Sequence, residues 1–214
     1  MKSTFSVVAV LFLIFSVPAK ALEPKGVFYD LPGPPARGDA QDVTDYQTLL
    51  DYQSKRTQAE CDRASSEVKV NLLHFFAAPY GPLTQAEAAK WQQFVDRHSL
   101  RAILTIAAAK LQYHRPRPFE SHADIHPCIA LDKTYSYPSG HSAFAEYYGK
   151  ILAIAFPERA KVLGARATQI ALDRSIGGVH YPTDIRDGLS LGDQIFDAEN
   201  EDGELEKEIH ENFF

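Results

Sequence analysis

Beyond its first twenty or so residues the sequence has no apolar run near the ~20 residues that a membrane-spanning helix needs, so no stable span is expected. It also lacks sustained alternation of apolar and polar residues, which argues against a sheet, and it has no internal repeat. No cluster of His, Cys and carboxylates has the spacing of metal ligands, so neither a metal nor another cofactor is implied. Basic residues are outnumbered: 22 Lys and Arg face 28 Asp and Glu, for a formal charge of −6. That balance excludes a broad surface for nucleic acid or anionic lipid, both of which need clustered Lys and Arg. Where basic residues do gather, a local reason is required.

What is present is an ordinary globular composition, 45% hydrophobic and 23% charged, at a length that suits one domain with its own core. The first stretch differs from the rest. Lys2 gives a basic start, residues 7–17 are apolar, and Ala19-Lys20-Ala21 has small residues where a signal peptidase reads them. Residues 1–21 are therefore expected to be a cleaved signal peptide, leaving an exported domain at 22–214. Loss of Lys2 and Lys20 takes the formal charge from −6 to −8. The only cysteines are Cys61 and Cys128. An even count in an oxidising compartment points to one disulfide, worth about 3–5 kcal/mol in the chain-entropy model, with two buried thiols as the other reading.

Residues 22–41 carry several Pro and Gly and are expected to form an extended arm. Helical periodicity runs from Asp42 to about Val70, with Val43, Tyr46, Leu49, Leu50 and Gln53 on one side. Residues 79–82, Pro-Tyr-Gly-Pro, mark a break. Thr84 and Glu87 form a capping box that opens a helix through Trp91, Phe94 and Val95, and a second helix is expected through Leu100, Ile103, Leu104 and Ala107 to about Tyr113. Residues 143–156 are apolar on most sides and read as a buried central helix. Further helices are expected over residues 158–174 and from Pro182 through Ile195, followed by an acidic tail at 197–214 with a short helix near 205–209. The expected fold is all-α, a helical bundle around the 143–156 segment with the active site at the helix ends.

Three clusters fall at expected helix ends. They are the stretch from Lys110 to Arg117-Pro118, then Pro138-Ser139-Gly140-His141, then Asp173-Arg174 through His180 to Asp184. Taken singly each has a plain explanation: solvated cations at a helix end, Ser139 as an ordinary N-cap, a surface histidine, an acid favoured in a first turn. Taken together they suit a phosphate ester, whose oxygens stay charged through the transition state and need fixed cations and N–H donors. Lys110, Arg117 and Arg174 would be those cations.

The pattern Lys110-x6-Arg117-Pro118, Pro-Ser-Gly-His, Arg174-x5-His180-x3-Asp184 resembles the tripartite signature of the type 2 phosphatidic acid phosphatase superfamily. With the Tyr-Pro-Ser-Gly-His-Ser wording and the expected signal, it is similar to the bacterial class A non-specific acid phosphatases. The resemblance implies a periplasmic phosphomonoesterase with no metal and a phosphohistidine intermediate, acting on small phosphate monoesters. Carried over, His180 is the nucleophile, Asp184 fixes its tautomer, and His141 is general acid and then base. Lys110, Arg117, Arg174, Ser139 and the Gly140 N–H hold the phosphoryl oxygens. His114 and Arg115, beside the first cluster, are read as lying either one layer behind the residues that touch substrate or exposed. The family usually has Ser where this chain has Asp173, and a carboxylate there repels substrate unless it pairs with Arg174 or points away. The alternatives are a vanadium-dependent haloperoxidase-like enzyme and a phosphate-binding protein without turnover. A homo-oligomer is left open.

Overall fold

The computed structural model describes residues 29–76 and 84–214. The expected signal peptide at 1–21 and the break at 79–82 lie outside them. Among the described residues there is no strand. The helices are α1 Ala40–Lys55, α2 Gln58–Ser66, α3 Leu73–Phe76, α4 Gln85–Tyr113, α5 Pro118–Ser121, α6 Gly140–Ala155, α7 Ala160–Ile176, α8 Pro182–Glu199 and α9 Glu204–Phe213.

Two expectations about helix boundaries are corrected. The stretch read as one helix from Asp42 to about Val70 is two, because Thr57 and Glu60 form a capping box that starts α2 afresh: the Thr57 side chain accepts from the Glu60 N–H at 3.2 Å and Glu60 accepts from the Thr57 N–H at 2.7 Å. Conversely, α4 runs unbroken for 29 residues where two helices were expected. It contains no Gly or Pro, and Ser99, near its midpoint, returns its hydroxyl to the Val95 carbonyl at 2.6 Å instead of capping a new helix. Its inward face is Trp91, Phe94, Val95, Ala102, Ile106 and Ala109, whereas Leu100, Ile103, Leu104 and Leu111 are exposed.

The core surrounds α6. Nine of its sixteen residues are buried, among them Ala143, Ala145, Tyr147, Ile151 and Leu152, and its faces pack chiefly on α7 and α8. Ser139 caps α6 by accepting from the Ser142 N–H at 3.2 Å. Two glycines bring α8 unusually close: a Cβ on Gly188 would lie 2.5 Å from the Ser139 carbonyl oxygen, and one on Gly192 2.3 Å from that of Ala143. The acidic tail is part of this core. In α9, Leu205 and Ile209 are buried, and Phe213 stacks on Trp91 with ring centroids 3.5 Å apart. At the other end the proline-rich arm lies over α4 and α8, with Leu31 buried and its carbonyl accepting from the Tyr113 hydroxyl at 3.1 Å.

Cys61 of α2 and Cys128 of the loop before α6 form a disulfide with Cα atoms 5.8 Å apart. It closes a loop across a separation of 67 residues, for which the chain-entropy model gives about 4 kcal/mol. Its effect is to tie α2 to the irregular segment, residues 122–138, that leads into the α6 N-terminus.

Candidate active site

Each of the three clusters is delivered by a chain reversal. At the end of α4, His114 adopts φ 50 and donates its N–H to the Lys110 carbonyl at 3.0 Å, a left-handed cap that turns the chain back so that Arg115 and Arg117 return beside Lys110. At the end of α7, Gly178 adopts φ 82, a conformation that favours glycine, and Val179 donates to the Arg174 carbonyl at 3.0 Å. That reversal brings His180 back towards Arg174 and leads into α8. Pro182 starts α8, and its third residue, Asp184, accepts the Tyr181 N–H at 2.9 Å.

The result is a cavity of about 510 Å³ whose wall includes Lys110, Arg117, Gly140, His141, Arg174 and His180. These six predicted residues, drawn from three separate clusters, therefore meet. Val68, Leu131, Asp132 and Lys133 also line it. Gly140 has a steric reason to be glycine, since a Cβ would fall 2.9 Å from Ile106 Cγ2 and 3.7 Å from Lys110 Cε. The first N–H groups of α6 have no acceptor within the helix, so the helix terminus adds donors and a positive dipole end to the wall.

Two predicted residues sit beneath the wall and do not line it. Ser139 is fully buried; its hydroxyl accepts from the Ser142 N–H and from the Ser142 hydroxyl, the latter at 2.8 Å. It serves as a helix cap. Asp184, also fully buried, sits behind His180, its Oδ2 3.3 Å from His180 Nδ1. Ser136 donates to the same oxygen at 2.5 Å.

His180 is held from both sides. Arg117 Nη1 lies 2.8 Å from His180 Nε2, so Nε2 is the accepting, unprotonated nitrogen and the proton sits on Nδ1, facing Asp184. Arg117 is in turn fixed by the Thr134 carbonyl at 2.7 Å, the Val179 carbonyl at 2.9 Å and Asp132 Oδ2 at 2.8 Å. Burial, then the cations Arg117, Lys110 and Arg174, push His180 well below its ordinary 6.5, so its imidazole stays neutral in acid. The same forces act on His141, where burial and Arg174 are the leading causes.

The cations themselves are strained electrostatically. Burial and Arg117 lower Lys110 to about 8, and burial and Arg117 lower Arg174 to about 10. Two polar atoms in this wall, His141 Nε2 and Arg174 Nε, are buried with no hydrogen-bond partner. A buried donor left unpaired is costly, and a cluster of converging cations repels itself, so an oxyanion in the cavity would relieve both penalties.

Asp173 does not face that cavity. It is fully buried and bound in bidentate fashion by Arg63 Nε and Nη2, each at 2.7 Å, with Gln169 donating to Oδ1 at 2.9 Å. The feared repulsion of substrate is thus cancelled by a partner 110 residues away in the sequence. Arg115, read from the sequence as either one layer behind the site or exposed, takes the first of those places: it is only 7% exposed and donates to Asp184 Oδ1 at 2.7 Å. The available signal was the extended run Arg115-Pro116-Arg117, in which alternate residues share a face.

Among the described residues, no group of three or more His, Cys, Asp or Glu side chains is placed to hold a metal ion, and no helix is long and apolar enough to cross a membrane. Residues 99–193, which span all three clusters, match the family model described as the PAP2 superfamily. The non-specific acid phosphatase of Salmonella typhimurium is 28% identical over 174 residues, covering 77% of this chain and 69% of that protein, and its counterpart in Salmonella typhi is 27% identical over the same coverage. A crystal structure of the transmembrane PAP2-type phosphatidylglycerolphosphate phosphatase from Bacillus subtilis aligns with a TM-score of 0.49 at 21% identity, over 83% of this chain and 90% of that one. Residues 99–193 are thus similar to the PAP2 superfamily, and the chain more broadly is similar to the non-specific acid phosphatases.

Proposed function

We propose that the protein is an acid phosphatase that hydrolyses small phosphate monoesters through a phosphohistidine on His180. The observation that carries this reading is the placing of a neutral imidazole, its Nε2 lone pair aimed inward, among two buried arginines and the half-buried Lys110 at a helix N-terminus. Such a site holds a phosphoryl group by its oxygens and attacks its phosphorus. In the first step the Nε2–P bond forms as the ester P–O bond breaks, and His141 protonates the departing alkoxide. In the second, His141 takes a proton from water, whose oxygen attacks phosphorus, and the P–N bond breaks to release inorganic phosphate and His180. Throughout, the Nδ1 proton stays on His180 against Asp184. Lys110, Arg117 and Arg174 neutralise the phosphoryl oxygens, the work a metal does in other phosphatases. The signal-like first 21 residues support a periplasmic location, where the Cys61–Cys128 disulfide would be stable.

Purified protein should turn over p-nitrophenyl phosphate in acid to near-neutral solution, with the rate unchanged by a chelator. Absence of turnover throughout that range would leave only phosphate binding, and loss in chelator restored by Zn²⁺ or Mg²⁺ would overturn the metal-free mechanism.

The histidine environment adds a pH prediction. The simple expectation from an ordinary histidine, a proton held to about pH 6.5, does not fit the free site, where burial and Arg174 drive the proton off His141. A bound phosphoryl dianion reverses that balance and draws the proton back. The protonated form of His141 is lost as pH rises through its pKa, so the alkaline limb of kcat, which reports the complex, should lie at higher pH than that of kcat/KM. Coincident limbs would remove His141 from the role of general acid.

A further inference from the structure

We propose that Arg115 is a positioning residue for the nucleophile, holding the Asp184 carboxylate charged and oriented so that His180 keeps its proton on Nδ1 and its lone pair on Nε2. The inference rests on the phosphohistidine reading above. Arg115 lies outside the wall of the 510 Å³ cavity, so it acts through Asp184 and not on substrate.

Asp184 is fully buried and its two oxygens are divided between different partners. Oδ2 receives the Ser136 hydroxyl at 2.5 Å, the Tyr181 N–H at 2.9 Å and faces His180 Nδ1 at 3.3 Å; Oδ1 receives Arg115 Nη1 at 2.7 Å. Of these partners only Arg115 carries a permanent charge. The other side of its guanidinium is anchored to α1, with Nη2 at 3.1 Å from Asp45 Oδ2 and 3.3 Å from Asp42 Oδ1. Nη1 also donates to Thr183 Oγ1 at 2.7 Å, and the Thr183 hydroxyl donates a hydrogen bond to Asp45 Oδ2. The guanidinium lies 3.8 Å from the centroid of the Tyr181 ring. Asp42 and Asp45 of α1, Asp184 of α8 and Tyr181, which precedes α8, are the titratable groups in contact with it, while Arg37, His114 and His122 line the adjoining cleft.

The consequence for the nucleophile is a matter of proton placement. A buried carboxylate that loses its counter-charge takes up a proton more readily. Protonated Asp184 would donate to Nδ1, which then has to be the bare nitrogen, and the proton of the neutral imidazole would move to Nε2. The lone pair would then face Asp184 and not phosphorus. Arg115 prevents that inversion, and it does so most effectively as a fork, since one point charge cannot reach Asp184 and Asp45 together.

The test is steady-state kinetics with p-nitrophenyl phosphate on the full protein. Arg115→Ala should lower kcat by about 100-fold, the scale set by misplacing a reacting group by an ångström, while KM changes little. Arg115 borders a second cleft of about 210 Å³, so added guanidinium has a route to the vacated position and should restore part of the rate. A merely structural loss would instead be worsened by guanidinium. Arg115→Lys should lose about tenfold in kcat, for want of the second hydrogen-bonding arm. If the alanine variant does not fold, this lysine variant decides: wild-type kcat overturns the positioning role. An active wild type beside an alanine variant with unchanged kcat, or with raised KM alone, overturns this inference while leaving the phosphatase reading intact; an inactive wild type overturns both.

Discussion

Replacing His180 with alanine is expected to abolish phosphoenzyme formation with every ester, whereas replacing His141 should leave part of it. The two rings occupy one cavity, and both are held neutral by burial and neighbouring cations, yet their surroundings differ in kind. His180 has a partner on each nitrogen, Arg117 at 2.8 Å and Asp184 at 3.3 Å, which fix its lone pair in direction and tautomer. His141 has a buried Nε2 with no partner, free to meet a leaving-group oxygen or a water. Removing the first ring removes the atom that bonds to phosphorus. Removing the second costs proton transfer, typically ~10²–10⁴-fold for a poor leaving group such as an alkyl alcohol and less for p-nitrophenolate. Hydrolysis of the intermediate also needs a base, so acid-labile, alkali-stable phosphate should accumulate on the His141→Ala protein after exposure to a labelled aryl ester and be absent from His180→Ala. Label trapped on the second variant and missing from the first would exchange the two roles.

What the sequence showed and what it hid divide along a physical line. Features governed by near neighbours were readable: the Thr84 cap, the apolar run that becomes α6, Pro182 opening α8, and the clusters at helix ends. The second capping box, Thr57 with Glu60, carried the same local signal and was masked by a helical period that continues across it. The long-range pairs had no local signal at all. Arg115 finds Asp45 and Asp184 about 70 residues away in opposite directions, and Asp173 finds Arg63 at a separation of 110. Those partners decide whether a carboxylate near the phosphate cavity harms or helps. Asp173 is neutralised on the far side, and Asp184 is kept as an oriented anion behind the nucleophile. The phase of α4 was equally hidden, because both of its faces carry apolar residues and only packing against α6 and α8 selects Ala102, Ile106 and Ala109 for the core.

Valine at Gly188 or Gly192 should damage stability and catalysis together. These residues lie four apart on α8 and face the first turn of α6, where backbone meets backbone: the added Cβ would stand 2.5 Å from the Ser139 oxygen at one site and 2.3 Å from the Ala143 oxygen at the other. Neither oxygen belongs to a side chain that can turn aside, so the helix itself must shift. Overpacking of this kind costs about 3 kcal/mol or more, and it lowers the midpoint of thermal unfolding accordingly. The same displacement reaches the site, because Asp184 sits one turn before Gly188 and its carbonyl accepts the Ser139 N–H at 2.9 Å, joining the His180 support to the turn that presents Gly140 and His141. A shift of about 1 Å between those elements should lower kcat by about 100-fold even in the fraction that remains folded. Gly164, on α7, has open space where a Cβ would go, and its alanine variant is the control. That substitution should leave kcat unchanged and, by favouring helix, slightly raise the unfolding midpoint. Thermal melts and p-nitrophenyl phosphate kinetics on the three variants check this, and Gly188→Val or Gly192→Val proteins with wild-type kcat and wild-type midpoint would show that the close approach of α8 to α6 is not needed to assemble the site.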